Sequence, residues 1–122
     1  MRAMIVDDSR PIRRIEGAIL KELGFDTCDA CHGKEALEQL ESEPRPDVVL
    51  VDWHMPEMDG LEFVKAVRND ARFANMALLM VTIDTETDQM RRALNAGANE
   101  YLMKPFAKDG LVDKLRLLGL VQ

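Results

Sequence analysis

The chain is poor in everything that would staple or anchor it. It has two cysteines, one tryptophan, one tyrosine and four phenylalanines in 122 residues. Its apolar runs stop at about six residues, far short of the roughly 20 that a membrane-spanning helix needs. The opening MRAMIVDDSR reaches two acids before any long apolar region forms, which argues against a secretory signal. Basic charge is also in deficit: 16 Lys and Arg stand against 22 Asp and Glu, for a formal net charge of −6. The Lys and Arg form no run, so a nucleic-acid backbone finds no complementary stretch. These absences point to a cytoplasmic domain with neither membrane nor nucleic acid as a direct partner. What remains is 47% apolar and 31% charged, with five Pro and seven Gly. That is the balance of an ordinary globule, and the length suits one domain, residues 1–122, with a real core.

The two cysteines lie close together, Cys28 and Cys31 in CDAC, the spacing of a redox or zinc half-site. A structural zinc site needs a second such pair. FDTCDA reads as a strand, in which positions three apart are separated by roughly 10 Å, beyond the reach of a disulfide. Two buried or half-buried thiols are therefore expected.

Five short apolar runs, AMIV, FDTCDA, DVVLV, ALLMV and EYLM, are each followed by a polar turn and a segment of helical period. This alternation marks βα units around a parallel sheet. The third and fourth runs are apolar throughout, as expected of strands covered on both faces. In the first helix Ser9 is placed to cap and Pro11 to sit in the first turn, with Ile12, Ile15, Ile19 and Leu23 as the inward stripe and Gly24 as the stop. The second carries Ala36, Leu37 and Leu40. The third buries Leu61, Val64 and Val67 after Gly60, which supplies the turn. The fourth carries Met90, Ala93 and Leu94 before Gly97, and the fifth Leu111, Leu115 and Leu118. The fold class is α/β, a doubly wound (βα)5 sheet.

In this scheme Asp7 and Asp8 end the first strand, Asp52 the third, Thr82 the fourth and Lys104 the fifth. All five fall at carboxyl ends of parallel strands, where ligands of open α/β sheets bind. Three carboxylates held together need a cation, and hard oxygen donors suit Mg²⁺. A spare carboxylate beside such an ion is a nucleophile toward phosphoryl groups, with Lys104 as a point charge and Thr82 as a hydroxyl donor on the phosphoryl oxygens. Asp52 and His54, two residues apart, fit a ligand pair, an acid/base couple or a nucleophile beside a bystander.

IVDDSRPIRR, VVLVDWHMPEMDG, LLMVT and NEYLMKPF, in that order, resemble the receiver domain of bacterial two-component response regulators, similar to the single-domain chemotaxis type. The resemblance implies sheet order 2-1-3-4-5. It makes Asp52 the phosphoacceptor and Asp7 and Asp8 the pair that organises Mg²⁺, with the backbone carbonyl of His54 as a further ligand. Lys104 is implied to pair with the phosphoryl group, through a Lys104–Pro105 bond that is usually cis in the family. Thr82 and Tyr101 match the switch pair that alters the face of helix four, strand five and helix five. The implied partners are a sensor histidine kinase or phosphotransfer protein and a downstream effector protein. The residue after the switch threonine is usually small, whereas Ile83 is bulky and is expected to narrow access to Asp52. His54 and Asp84 flank the mouth of the site, where they tune hydrolysis. Trp53 and the methionines Met55, Met58 and Met103 read as packing residues, and His32 as a solvated loop residue. An aspartyl phosphatase of the haloacid-dehalogenase type is a rival, but it carries a second Asp at the place of His54. A phosphorylation-independent adaptor on the same fold is the other.

Overall fold

The computed structural model describes residues 1–83, 87–104 and 106–121. Five parallel strands, β1 (Arg2–Val6), β2 (Asp26–Ala30), β3 (Val48–Val51), β4 (Ala77–Thr82) and β5 (Glu100–Met103), form one sheet in the order β2-β1-β3-β4-β5. Five helices alternate with them: α1 (Arg10–Glu22), α2 (Gly33–Leu40), α3 (Gly60–Arg68), α4 (Thr87–Ala96) and α5 (Lys108–Leu117). A 3-10 turn, Ala71–Phe73, leads into β4. The alternating pattern predicts this doubly wound (βα)5 sheet, and its flavodoxin-like order is the 2-1-3-4-5 that the resemblance implies.

The strands are continuously apolar because helices cover both faces. Val48, Val49, Leu50 and Val51 are all buried; Val49 and Val51 face one core with Phe63, Val64 and Leu78, and Val48 and Leu50 the other with Leu20, Leu111 and Leu115. Local chemistry sets the helix ends. Ser9 caps α1 by accepting from the Ile12 amide, and Asp59 and Glu62 form a reciprocal capping box on α3. Gly24 after α1 and Gly97 after α4 adopt φ of +92° and +122°, conformations that side chains with a Cβ avoid.

Three inward assignments need correction. The first helix is turned by about one position from the Ile12, Ile15, Ile19, Leu23 stripe: Ile15 is 56% exposed, whereas Glu16 and Leu20 are buried. A carboxylate reads as a solvent residue in any hydrophobic pattern, and here it occupies the innermost line. Leu94 and Met103 are also exposed, at 40% and 44%, because the inward line of α4 runs through Ala93 and β5 ends at Met103.

Arg68 fastens the amino-terminal edge of β4 and β5. Its guanidinium donates to the carbonyls of Gly97 (2.9 Å), Phe73 (2.9 Å) and Met76 (2.8 Å) and to Asn99 Oδ1 (2.8 Å), which also accepts the Leu78 amide. Arg68→Ala leaves these acceptors short of donors and is expected to lower the unfolding free energy by about 2–4 kcal/mol in urea denaturation. Arg68→Lys is expected to recover little, since one ammonium cannot reproduce the planar fork.

Candidate functional site

The polar residues at the strand ends are positioned by the sheet itself. The Asp7 amide donates to Ala30 O (3.1 Å), the Asp52 amide to Val6 O (2.9 Å) and the Lys104 amide to Thr82 O (2.9 Å). Each residue thus lies one step past a strand with its backbone still laddered to the neighbouring strand. Thr82 is the last residue of β4 and is buried.

Asp7, Asp8, Asp52 and Lys104 come together. One oxygen of each acid lies within 4.8 Å of the others. Asp7 is buried and Asp52 nearly so, while Asp8 faces solvent. Lys104 Nζ donates to Asp7 Oδ2 at 2.6 Å and lies 3.5 Å from Asp52 Oδ2. The other Asp7 oxygen accepts the Ser9 amide at 2.8 Å, and Arg13 donates to the Asp7 carbonyl at 2.7 Å.

Burial pushes the Asp52 carboxyl above its ordinary value, and the charge of Asp7 adds to the rise; Lys104 and the His54 backbone amide work against it. Burial pulls the Lys104 ammonium down, but its hydrogen bond to Asp7 and the charges of Asp52, Asp7 and Glu16 outweigh this and raise it. The lysine therefore stays charged, and the acids carry more negative charge than one ammonium balances. A hard divalent cation fits such a donor set.

Gly60 makes the β3–α3 loop possible. A Cβ there would collide with Asp52 O and fall 2.8 Å from Trp53 Cα, so the loop closes back onto the site only around a hydrogen atom. Trp53 is buried beneath this loop, packed in the core with the Arg92 guanidinium 5.9 Å from its ring centroid. Met55 and Met58 pack against the same core.

Other expected residues sit less centrally. His54 is exposed, and its amide reaches Asp52. Tyr101 is half-buried against the core, with Lys114 Nζ 4.9 Å from its ring centroid. Ile83 is 67% exposed and, with Ile12, Ile15, Glu16, Lys104 and Phe106, lines a cavity of about 340 Å³ beside the acids. Asp84 and the Lys104–Pro105 bond lie outside the described residues. His32 is not a solvated loop residue: it is half-buried and caps α2, its Nδ1 accepting the Glu35 amide at 3.1 Å. Both cysteines are free thiols, Cys28 within β2 and Cys31 just beyond it.

Sequence reasoning missed Glu16. It is 2% exposed, and Oε2 has no hydrogen-bond partner. Burial pushes its carboxyl up to about 8; the Lys104 charge opposes the rise and the Asp7 and Asp52 charges add to it. The available signal was its spacing of four from Leu20, on the line that also holds Arg13.

A family model for the response regulator receiver domain matches residues 3–116. Chemotaxis protein CheY1 of Helicobacter pylori strain ATCC 700392 / 26695 is 41% identical over 119 residues, covering 97% of this chain and 96% of that protein. Chemotaxis protein CheY of Pseudomonas aeruginosa is 40% identical over 116 residues, covering 94% and 93%. The solved structure of Vibrio cholerae chemotaxis protein CheY4 superposes with a TM-score of 0.89 at 34% identity, over 96% of this chain and 97% of that one.

Proposed function

The chain belongs to the response regulator receiver domain family, and from that premise we propose that Asp52 accepts a phosphoryl group and that residues 1–122 act as a single cytoplasmic receiver. Receiver domains are phosphorylation-dependent signalling switches rather than enzymes with an external substrate. They generally bind Mg²⁺ at an acidic pocket, and CheY-like receivers interact with histidine kinases and downstream effectors.

The observation that carries the reading is one lysine spanning two carboxylates, with Nζ 2.6 Å from Asp7 and 3.5 Å from Asp52. A carboxylate oxygen of Asp52 attacks phosphorus. The bond from phosphorus to the donor atom breaks, the donor keeps the electron pair, and an acyl phosphate forms. Lys104, already within reach of Asp52, pairs with the incoming phosphoryl oxygens, and the Thr82 hydroxyl donates to one of them. Hydrolysis returns Asp52 to a carboxylate when water attacks the same phosphorus. Asp7, Asp8, Asp52 and the His54 carbonyl would hold Mg²⁺, which when bound supplies countercharge to the phosphoryl oxygens.

Drawing Thr82 toward the phosphoryl group removes volume beside β5, and Tyr101 follows inward. The face of α4, β5 and α5 then shifts between two packings that an effector protein distinguishes. The donor is a sensor histidine kinase, a phosphotransfer protein or a small acyl phosphate.

With Mg²⁺ and radiolabelled acetyl phosphate, the protein is expected to take up one phosphoryl group and change the fluorescence of Trp53, its sole tryptophan. Asp52→Asn is expected to take up none. No uptake by the unmodified protein, from a small donor or a kinase, would leave the phosphorylation-independent adaptor as the better reading.

A further inference from the structure

A second group of metal-ligating side chains stands on the same sheet edge, one strand away from the acids. It is built from different donors. Cys31 follows β2, His32 caps α2 and Glu35 lies in the first turn of α2; one donor atom of each falls within 4.8 Å of the others. All three residues are half-buried. We propose that Cys31, His32 and Glu35 form a binding site for a thiophilic divalent cation, Zn²⁺, separate from the carboxylate cluster.

The donor chemistry selects the ion. Thiolate and imidazole favour zinc, whereas the all-oxygen set of Asp7, Asp8 and Asp52 favours magnesium. Ligands around tetrahedral zinc stand roughly 3.3–3.8 Å apart, so donors already within 4.8 Å need only small side-chain rotations. The Cys31 thiol donates to Glu35 Oε2 at 2.9 Å, and a cation would replace that proton. Cys31 then binds as thiolate and its proton passes to solvent. Together the thiolate and the Glu35 carboxylate supply two negative charges, which outweigh the partial positive charge of the α2 amino terminus.

The surroundings already hold the ligands. Gln39 Nε2 donates to Glu35 Oε1 at 3.3 Å and to Asp29 O at 2.9 Å. Glu35 is thereby tied to the end of β2 by the oxygen that does not face the thiol, the kind of outer contact that orients metal ligands. Met58 packs against Gly33, the residue after His32; its Sδ lies 2.9 Å from where a Cβ on Gly33 would be, so a glycine at the start of α2 leaves room for the thioether. His32 exchanges its capping hydrogen bond with the Glu35 amide for a coordinate bond. Cys28 is turned away, its thiol directed at Ala3 O.

Titration of the reduced protein with Co²⁺ tests the site. One equivalent is expected to produce a thiolate-to-cobalt charge-transfer band in the near ultraviolet, bleached by Zn²⁺ and untouched by millimolar Mg²⁺. The band is expected to persist in Cys28→Ser and Asp52→Asn, to vanish in Cys31→Ser, and to need about tenfold more cobalt in Gln39→Ala. Zinc is also expected to move the Glu35 amide resonance as the cap is exchanged. A band that is absent, that survives Cys31→Ser or that Mg²⁺ removes would overturn the proposal. Because Asp52→Asn keeps this site, its outcome is independent of whether Asp52 is a phosphoacceptor.

Discussion

Glu16→Met is expected to make the protein more stable, by an amount that grows with pH. The Glu16 carboxyl is raised from 4.5 to about 8 in the folded protein, chiefly by burial. Below pH 4.5 both folded and unfolded chains hold the proton, and ionisation contributes nothing to the difference. Above it the unfolded chain releases the proton while the folded chain keeps it, so the group costs about 1.4 kcal/mol of stability per pH unit until the folded value is reached. Methionine, unbranched and of similar length, removes both this cost and the unpartnered oxygen. The gain over the parent is expected to be about 1 kcal/mol near pH 4, from the oxygen alone, and about 3–5 kcal/mol larger by pH 8. Urea denaturation of the two proteins at several pH values reads the slope directly, since other titrating groups largely cancel in the comparison. A pH-independent difference would mean that Glu16 ionises in the folded state at its ordinary value.

Lys104→Met is expected to push three measurements in two directions. Removing the ammonium leaves Asp7, which is 2% exposed, and Asp52 without their shared counter-charge. Breaking a buried pair in this way typically costs about 3–5 kcal/mol, so the variant should unfold at lower urea when divalent cations are chelated. Magnesium should bind the variant more tightly. A unit charge roughly 6 Å from a divalent ion in a water-like medium repels it by about 1.4 kcal/mol, or tenfold in affinity. Mg²⁺ therefore returns much of the lost stability by mass action. Phosphoryl uptake from acetyl phosphate should nevertheless fall by about 10²–10³, the usual loss when one preorganised donor to a transition-state oxygen is removed. Tighter magnesium with slower uptake separates the two roles of Lys104. A parallel loss of both would show that the lysine acts by holding the acids in place.

The sheet was legible because strands covered on both faces are written as unbroken apolar runs, as in DVVLV and ALLMV. The acids and Lys104 were legible for the complementary reason: each interrupts such a run at the same end. Glu16 was not, because a carboxylate on a helix is read as a solvent residue, and only its spacing of four from Leu20 marks it as facing inward. Arg68 was hidden differently. Its Gly97 and Asn99 acceptors lie 29 and 31 positions away in sequence, so its work exists only after the chain has folded. His32 reads as a solvated loop residue because a histidine is an unusual N-cap, outside the Ser, Thr, Asp and Asn set that marks helix starts. In the Asp52–His54 pair the contact that the fold makes is through the backbone, the His54 amide reaching the Asp52 carboxylate.

The Arg68 clamp also bears on the motion proposed for the α4–β5–α5 face. It binds the turn after α4 through Gly97 and the starts of β4 and β5 through Met76 and Asn99. All of these points lie at the end of the sheet opposite Thr82 and Lys104. Under the proposed switch, a face riveted at one end would move as a lever: displacements begun at the Thr82 end should grow along α4 with distance from the fulcrum at Gly97, and cutting the rivet should let the same helix drift without any signal.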